Sequence, residues 1–440
     1  MHLFKINPKI RLTGHLKWIG IWTVFAILFS CQASVPNPAG LSLDTCDRLS
    51  DIRTMSLKSY LHFSLPTELT HSMSHALPRY VCQKIPCPEI EEVVRSGGKI
   101  IIMGLPPEVF KFCKAKLNLP EFSEKEITKQ KAGKRENIYR PVFFTTKSPK
   151  KDLYISVMAG EDYIKQVSGL VAYQIESKTG KDSDKLISIL SFPKLESSIP
   201  DWTDLHQFVE TGDTVLIGNV AYFYDYVQEK GLYKLLSEKE NYFYKSVRVK
   251  YNSRVLNFLI VKHTFWGGMS AKLANKILQK RIFELIYMSK VATLKSPAEI
   301  YNKIYSPSRF LLLRNGKIES INNLKNGIAE YFPKLNSGTH LSVSTVIEED
   351  MKMTSLARSL NAHSLDLEVS NLAKEIIASK SNVRFSSIHI VTDYLRSKGE
   401  GDKKTVYDLS NSRDQEAALL KKKSWVQIYG LMLEYLGAKI

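Results

Sequence analysis

Three stretches near the C-terminus decide the fold: LSVSTVI (Leu341–Ile347), HSLDLE (His363–Glu368) and SIHIVTD (Ser387–Asp393). The first and third are apolar runs with the length of buried strands, and an apolar helix is predicted directly after the second. Strands that alternate with helices predict an α/β protein, in which strand ends deliver side chains to a cleft. Two acids, Glu368 and Asp393, lie at such ends, so we expect them to face one cleft.

The rest of the chain extends this pattern upstream and downstream. We therefore predict an α/β class, with three α/β/α layers around a central mixed, mostly parallel twisted sheet. Further strands are predicted at Lys99–Met103, Pro141–Thr146, Asp152–Met158, Lys185–Phe192 and Thr214–Val220, and helices from Asp162, around Leu273–Met288 and over Asp408–Leu436.

The N-terminus has the pattern of an export signal. A basic run precedes the apolar stretch Trp18–Phe29, which is too short for a comfortable membrane span and ends at LFSC, with Cys31 in the lipid-accepting position. We expect residues 1–30 to be a lipoprotein signal peptide and 31–51 a tether. A bacterial cell-envelope location follows, facing the periplasm or the surface. An ordinary cleaved signal and an uncleaved anchor remain alternatives.

Four cysteines remain downstream of the lipidation site: Cys46, Cys82, Cys87 and Cys113. An exported protein meets an oxidising compartment, so disulfides are predicted, but four cysteines allow three pairings and the sequence does not choose among them. The alternative is that some are small apolar core residues. No histidine pair accompanies the cysteines at finger-like spacing, so we predict neither a metal site nor a cofactor.

Composition limits the classes of partner. The apolar fraction of 44% suits a folded globule, and the net charge of +18 favours attraction to anionic lipid headgroups. The basic residues form short scattered clusters, and we find no nucleic-acid motif, so no nucleic-acid partner is expected. We assign residues 52–440 to one α/β domain with a cysteine-containing extension (52–97) and a divergent middle insertion at about 227–338.

Four motifs in order resemble the purine nucleoside phosphorylase superfamily, most closely its 5′-methylthioadenosine/S-adenosylhomocysteine nucleosidase branch. An opening strand leads through a glycine to Glu108-Val109 (IIIMGLPPEV), and a Gly-Asp pair precedes the strand of GDTVLIGNVAYFYD. The ribose motif Asp/Glu-Met-Glu is matched by Asp366-Leu367-Glu368 at a helix start. A final strand ends in Thr392-Asp393, where the family has Ser-Asp.

The resemblance implies roles for these residues. Asp393 would be the general acid that protonates the departing purine, supported by Thr392. Glu368, beside Leu367, would bind the ribose hydroxyls and stabilise the oxocarbenium-like transition state. Glu108 would activate a water. Independently, glycosidic cleavage needs one protonated and one ionised carboxyl, and burial keeps an acid protonated.

The sequence also departs from the family pattern. Ser191-Phe192-Pro193-Lys194 stands where the family has a turn of small residues, and the aromatic that stacks on the purine is replaced by VIEEDMKM, in which Met351 or Met353 would pack on the base. The leading interpretation is an exported nucleosidase acting on a purine nucleoside, with phosphorolysis and a homodimer left open. The alternative is an inactive relative that binds a ligand or partner. Without the family, strand capping by Asp393 and helix capping by Glu368 would be the simpler reading.

Overall fold

The computed structural model describes residues 49, 51–61, 63–67, 69–73, 77–106, 109–110, 113, 141–146, 150–197, 201, 203–263, 265–380, 382–397 and 415–437. The predicted signal peptide therefore lies outside the described residues, as do Glu108, Cys31 and Cys46, and of the predicted tether only Leu49 and Asp51 are described. Within the ranges given above, no helix has the length and apolar character needed to cross a membrane.

Sixteen strands are found within these ranges, and their bounds follow in chain order. The strands are β1 Arg53–Ser56, β2 Ile100–Met103, β3 Val142–Thr145, β4 Leu153–Ser156, β5 Ile187–Ser191, β6 Thr214–Gly218, β7 Lys234–Glu240, β8 Tyr244–Tyr251, β9 Arg254–Val261, β10 Glu284–Thr293, β11 Ile304–Tyr305, β12 Arg309–Arg314, β13 Lys317–Ile321, β14 Thr339–Ser342, β15 Ala362–Asp366 and β16 Arg384–Tyr394.

The described helices lie between and after these strands. The helices are α1 Leu57–Tyr60, α2 Leu77–Lys84, α3 Cys87–Arg95, α4 Glu161–Thr179, α5 Pro193–Ser197, α6 Ala221–Glu229, α7 Gly268–Leu278, α8 Gly327–Tyr331, α9 Met351–Ser359, α10 Val369–Ala378 and α11 Gln415–Gly437.

The strands form two mixed sheets. The smaller sheet has the order β1-β5-β2-β4-β3, with β2 parallel to both of its neighbours. The larger sheet has eleven strands in the order β13-β12-β14-β15-β10-β6-β9-β8-β7, and β16 joins it by pairing with β10 and β11. Strand β10 is parallel to β6 and β16, so the carboxyl ends of these three strands meet at one edge.

Helices cover both faces of the larger sheet. Successive residues of a strand point to opposite faces. Accordingly, Leu285 and Tyr287 of β10 belong to the core that includes α7 and α10, whereas Ile286 and Met288 pack in the core that includes α6 and α11. The predicted α/β class with helix, sheet and helix layers is thus confirmed, although the β-structure is divided between two sheets.

One predicted element is wrong in its second half. The helix expected around Leu273–Met288 ends at Leu278, where α7 stops, and β10 begins at Glu284. Arg281 between them has a φ of 49°, a left-handed backbone conformation that ends a right-handed helix. The run after it is buried on both faces, so it shows neither helical nor strand periodicity, and an apolar run of that kind fits either element.

A disulfide joins two helices of the N-terminal part. Cys82 in α2 and Cys87 at the start of α3 are bonded, with their Cα atoms 5.4 Å apart. Cys113 is also disulfide-bonded. Ile85 between α2 and α3 is fully buried, so the short bonded loop is anchored in the core as well.

Candidate functional site

A cavity of about 990 Å³ opens at the edge of the larger sheet where parallel strands end. Its inner wall comprises the ends of β6, β10 and β16 together with the segment that follows β15. Gly218 at the end of β6 has a φ of 93°, and a Cβ there would lie 2.2 Å from the carbonyl oxygen of Met288. Only glycine therefore allows β6 to end so close to β10.

A β-bulge in β16 turns two consecutive side chains into this cavity. Val391 pairs with Val291 and Asp393 pairs with Ala292, so Thr392 is the extra residue. Without the bulge, Thr392 and Asp393 would point to opposite faces, but both line the cavity. The Thr392 hydroxyl donates a hydrogen bond to Asp393 Oδ2 over 2.6 Å.

The carboxylate of Asp366 fixes the polypeptide that carries Glu368. Asp366 Oδ1 accepts hydrogen bonds from His340 Nε2 at 2.8 Å, from Ser342 Oγ at 2.6 Å and from the Glu368 amide at 3.0 Å. The Val369 amide donates to the same carboxylate, so Asp366 satisfies the open N-terminus of α10. Burial would raise the pKa of Asp366, but His340 and the Ser342 hydroxyl outweigh it and hold the pKa below its ordinary value.

Glu368 has the opposite protonation preference. It is the residue directly before α10, and its side chain lines the cavity without capping the helix. Burial and the neighbouring Asp366 charge raise the pKa of Glu368 to about 8, against a hydrogen bond from the Tyr287 hydroxyl and the charge of Lys290. Two carboxyls two residues apart are therefore pushed towards different protonation states near neutral pH.

A third acid, which the sequence analysis did not single out, lies beside Asp393. Glu349 is buried and lines the same cavity. Burial and the charge of Asp393 raise the pKa of Glu349 well above its ordinary value. Glu349 lies in the segment VIEEDMKM, where only an aromatic or methionine partner for the base was sought. The signal that could have found it is a pair of acids, Glu348 and Glu349, that follows an apolar run in a predicted cleft.

The predicted site residues divide into three groups. Asp393, Glu368, Leu367 and Thr392 all line the cavity. Met351, the first residue of α9, is not among the lining residues, and its backbone amide donates to the Thr70 carbonyl at 2.7 Å, so its contact with the base stays a prediction. The remaining site predictions, Glu108, Cys31 and Cys46, fall outside the described residues.

The elements around the predicted water-activating residue pack in the core. Val109 and Phe110 are almost fully buried in the cluster that also contains α7 and α10. Within the described ranges, Met73 is the one residue before Gly218 that lines the cavity. Ser191 and Phe192, where the family has its small-residue turn, are likewise buried away from it. No group of three or more His, Cys, Asp or Glu residues that could hold a metal occurs in the described part of the chain.

Comparison with known proteins gives one relative among curated sequences and many similar folds. No family model matches the chain. It is 24% identical over 382 residues to the oxidoreductase cns1 of Cordyceps militaris, an alignment that covers 82% of this chain and 48% of that protein. The chain thus spans about half the length of this curated relative.

Several similar solved structures are nucleoside-cleaving proteins. A purine nucleoside phosphorylase of Toxoplasma gondii is 14% identical, with a TM-score of 0.38 over 52% of this chain and 91% of that one. The methylthioadenosine nucleosidase of Arabidopsis thaliana (10% identity, TM-score 0.37, 52% and 98% coverage) and that of Campylobacter jejuni (12%, 0.37, 51% and 98%) give similar values. At these values the matches concern the arrangement of elements over half the chain, and activity has to be argued from the cavity.

Proposed function

We propose that this chain hydrolyses the N-glycosidic bond of a purine nucleoside in the cavity at the sheet edge. One observation carries the proposal: Asp393 and Glu368 line the same cavity, and each has surroundings of its own. Asp393 has the Thr392 hydroxyl and the Glu349 carboxyl as neighbours, whereas Glu368 has Tyr287 and Asp366. Acids in unlike environments can divide the acid and charge-stabilising roles of one reaction.

The reaction requires a proton at the leaving base. The bond between the ribose C1′ and the purine nitrogen breaks with its electron pair on the base, and Asp393 supplies the proton that lets the base leave neutral. Burial and the charge of Asp393 raise the pKa of the neighbouring Glu349, so Glu349 favours its own protonated form. The two carboxyls together therefore retain a proton at this end of the cavity. The Thr392 hydroxyl holds Asp393 in the orientation for transfer.

Positive charge then develops on the sugar. An ionised Glu368 stabilises that charge and accepts hydrogen bonds from ribose hydroxyls, while Tyr287 orients its carboxyl. A water molecule adds to C1′ and releases its proton to a base, for which Glu108 remains the predicted residue. If phosphate replaced the water, the same acids would support phosphorolysis.

A second candidate function is nucleoside binding without cleavage. It is favoured by a departure from the family pattern: Ser191-Phe192-Pro193-Lys194 stands where the family has a turn of small residues, and Ser191 and Phe192 are buried away from the cavity. Such a protein would keep the acids as hydrogen-bonding groups for a ligand.

Incubation with purine nucleosides separates the two functions. We expect the purified protein to release free base from at least one of methylthioadenosine, adenosine and inosine, measured by chromatography with and without phosphate. Release without phosphate supports hydrolysis, and a strict phosphate requirement supports phosphorolysis. A nucleoside that raises the melting temperature but is never cleaved would establish the binding function instead.

The raised pKa of Glu368 predicts a pH dependence. Because the ionised form stabilises the transition state, kcat/KM should have an ascending limb that follows the ionisation of Glu368 up to about pH 8, and a descending limb where the Asp393–Glu349 pair loses its proton. Asp366→Asn removes a charge that raises the pKa of Glu368, so the ascending limb should move roughly 1 unit lower. The pH profile of kcat/KM checks both statements.

Asp350→Asn is the matched control for this pH shift. Asp350 is an acid that caps α9 through the Met353 amide and does not line the cavity. Asparagine caps a helix about as well as aspartate, so this variant changes charge with little change in structure. If the ascending limb of the pH profile stays in place in Asp366→Asn, or moves equally in both variants, the limb does not report the ionisation of Glu368.

A further inference from the structure

The cavity continues outward beyond the acids that the proposed reaction uses. Its volume of about 990 Å³ lies at the upper end of the range for small-ligand sites, about 300–1,000 Å³, and a nucleoside is a small member of that ligand class. Asp393 and Glu368 belong to the inner wall at the strand ends, and Glu349, in the segment before α9, lies beside Asp393. The cavity is also lined by residues of two helices, α6 and α11.

Each of these helices presents one face to the space. In α6 the lining residues Tyr222, Asp225 and Glu229 are spaced three and four apart, and in α11 Trp425 follows the lining residues Lys421 and Lys422 by four and three positions. Residues at these intervals lie on one side of a helix. We call the space between these six side chains the outer chamber.

Aromatic rings give the outer chamber surfaces for a planar group. Trp425 is stacked on Tyr429 with an angle of 21° between the rings, and Tyr429 in turn lies 5.3 Å from Tyr226 of α6, between ring centroids. Tyr222 is 49% exposed although it lines the cavity. The exposed ring of Tyr222 offers area for stacking a flat ring, and Trp425 lines the same cavity with its ring supported by Tyr429.

Basic residues line the cavity both near the strand ends and on α11. Lys290 and Arg396 line the inner part of the cavity, and Lys421 and Lys422 follow on α11. The acids Asp225 and Glu229 are on α6, the opposite helix. An anionic group would therefore be attracted to the α11 side and repelled from the α6 side.

We propose that the outer chamber binds the remote half of an extended nucleoside, in which a phosphate-containing link contacts Lys421 and Lys422 and a second planar ring packs against Tyr222 and Trp425. The ligand class is a dinucleotide, with one nucleoside at the inner acids and the other at the mouth. This assignment rests on the proposed function for the orientation of the inner nucleoside.

Equilibrium binding to the full chain tests the assignment without requiring turnover. The probes are adenosine, adenosine diphosphate and a di(adenosine-5′) diphosphate, with tryptophan fluorescence and calorimetry as readouts. We expect the dinucleotide to bind at least about tenfold more tightly than adenosine, since an ion-paired phosphate and a stacked ring each add affinity.

Two variants test the phosphate contact and the ring contact separately. Lys422→Glu should weaken adenosine diphosphate and the dinucleotide about tenfold and leave adenosine within about twofold. Tyr222→Ala should weaken only the dinucleotide. Lys423→Glu is the control, because Lys423 is the exposed neighbour on α11 that does not line the cavity.

The outcomes distinguish this inference from the proposed function. If the dinucleotide binds no more tightly than adenosine, or if Lys422→Glu and Lys423→Glu weaken it equally, the outer chamber is not a dinucleotide subsite. Adenosine cleavage together with either result would overturn only the subsite. Tight dinucleotide binding that depends on Lys422, with no base release from any substrate, would overturn only the hydrolase.

Discussion

Asp393→Asn is expected to lower kcat/KM for base release by about 10³-fold, because an amide has no acidic proton to give to the departing purine. The exchange conserves shape, and the Thr392 hydroxyl can still donate to the amide oxygen, so nucleoside affinity should change by no more than about threefold. Initial rates of base release and calorimetric affinity for the same nucleoside measure the two effects.

Thr392→Val is the companion variant. It removes the hydroxyl that donates to Asp393 Oδ2 and keeps the branched shape of the side chain. We expect a smaller loss of roughly 10-fold, since one orienting hydrogen bond is removed while the acid remains. Equal losses in Asp393→Asn and Thr392→Val, or full activity in Asp393→Asn, would contradict a proton-donating role for Asp393.

Glu368→Gln is expected to lower kcat/KM by about 10²- to 10³-fold, because glutamine cannot carry the negative charge that faces the developing positive charge on the sugar. The variant should also change stability in a pH-dependent way. The folded-state pKa of Glu368 is about 8, above its unfolded value, so the folded protein holds a proton that the unfolded chain has lost. Wild-type stability should therefore fall as pH rises from about 4.5 to about 8.

Glutamine removes that dependence. After allowance for the partial exposure of Glu368 and its coupling to Asp366, the variant should be more stable than wild type by about 2–4 kcal/mol at pH 9 and similar to it near pH 5. Urea denaturation at both pH values measures the difference, with Glu375→Gln on the same helix as the matched control. A variant less stable than wild type at pH 9 would contradict the buried, proton-holding environment of Glu368.

The C-terminal elements were predictable because each has a clear local signal. SIHIVTD is an apolar run with β-branched residues, and the structure continues it as β16 from Arg384 to Tyr394. The helix expected from Val369 begins there and ends at Ala378. The strand predicted over Leu341–Ile347 is wrong in its second half. Strand β14 covers Thr339–Ser342, and the chain then turns away from the sheet into a short 3₁₀ helix that begins at Val346.

What the sequence missed depends on contacts between distant segments. The pairing of His340 with Asp366 spans 26 positions and arises only because β14 and β15 are neighbours in the sheet. Glu349 reads as one of several acids in VIEEDMKM, and only burial beside Asp393 distinguishes it. The outer chamber requires α6 and α11 to face each other, although about two hundred positions separate them. No local pattern encodes such an encounter.

The bulge at Thr392 is a similar case. The motif placed Thr392 next to Asp393, and regular strand geometry would have turned one of the two away from the cavity. The extra residue in β16 removes this conflict. The sequence does not show where it lies, because β16 is buried on both faces and has no alternation of polar and apolar residues that a one-residue shift would change.

A single-turnover assay tests the central claim most directly. The purified full chain, in excess over a base-labelled purine nucleoside at pH 8, is followed for free base by chromatography, beside Asp393→Asn under identical conditions. The proposed reaction predicts base release by the wild type at a rate about 10³-fold above that of the variant. Equal rates for the two proteins, or no release by the wild type from a nucleoside that calorimetry shows to be bound, would contradict it.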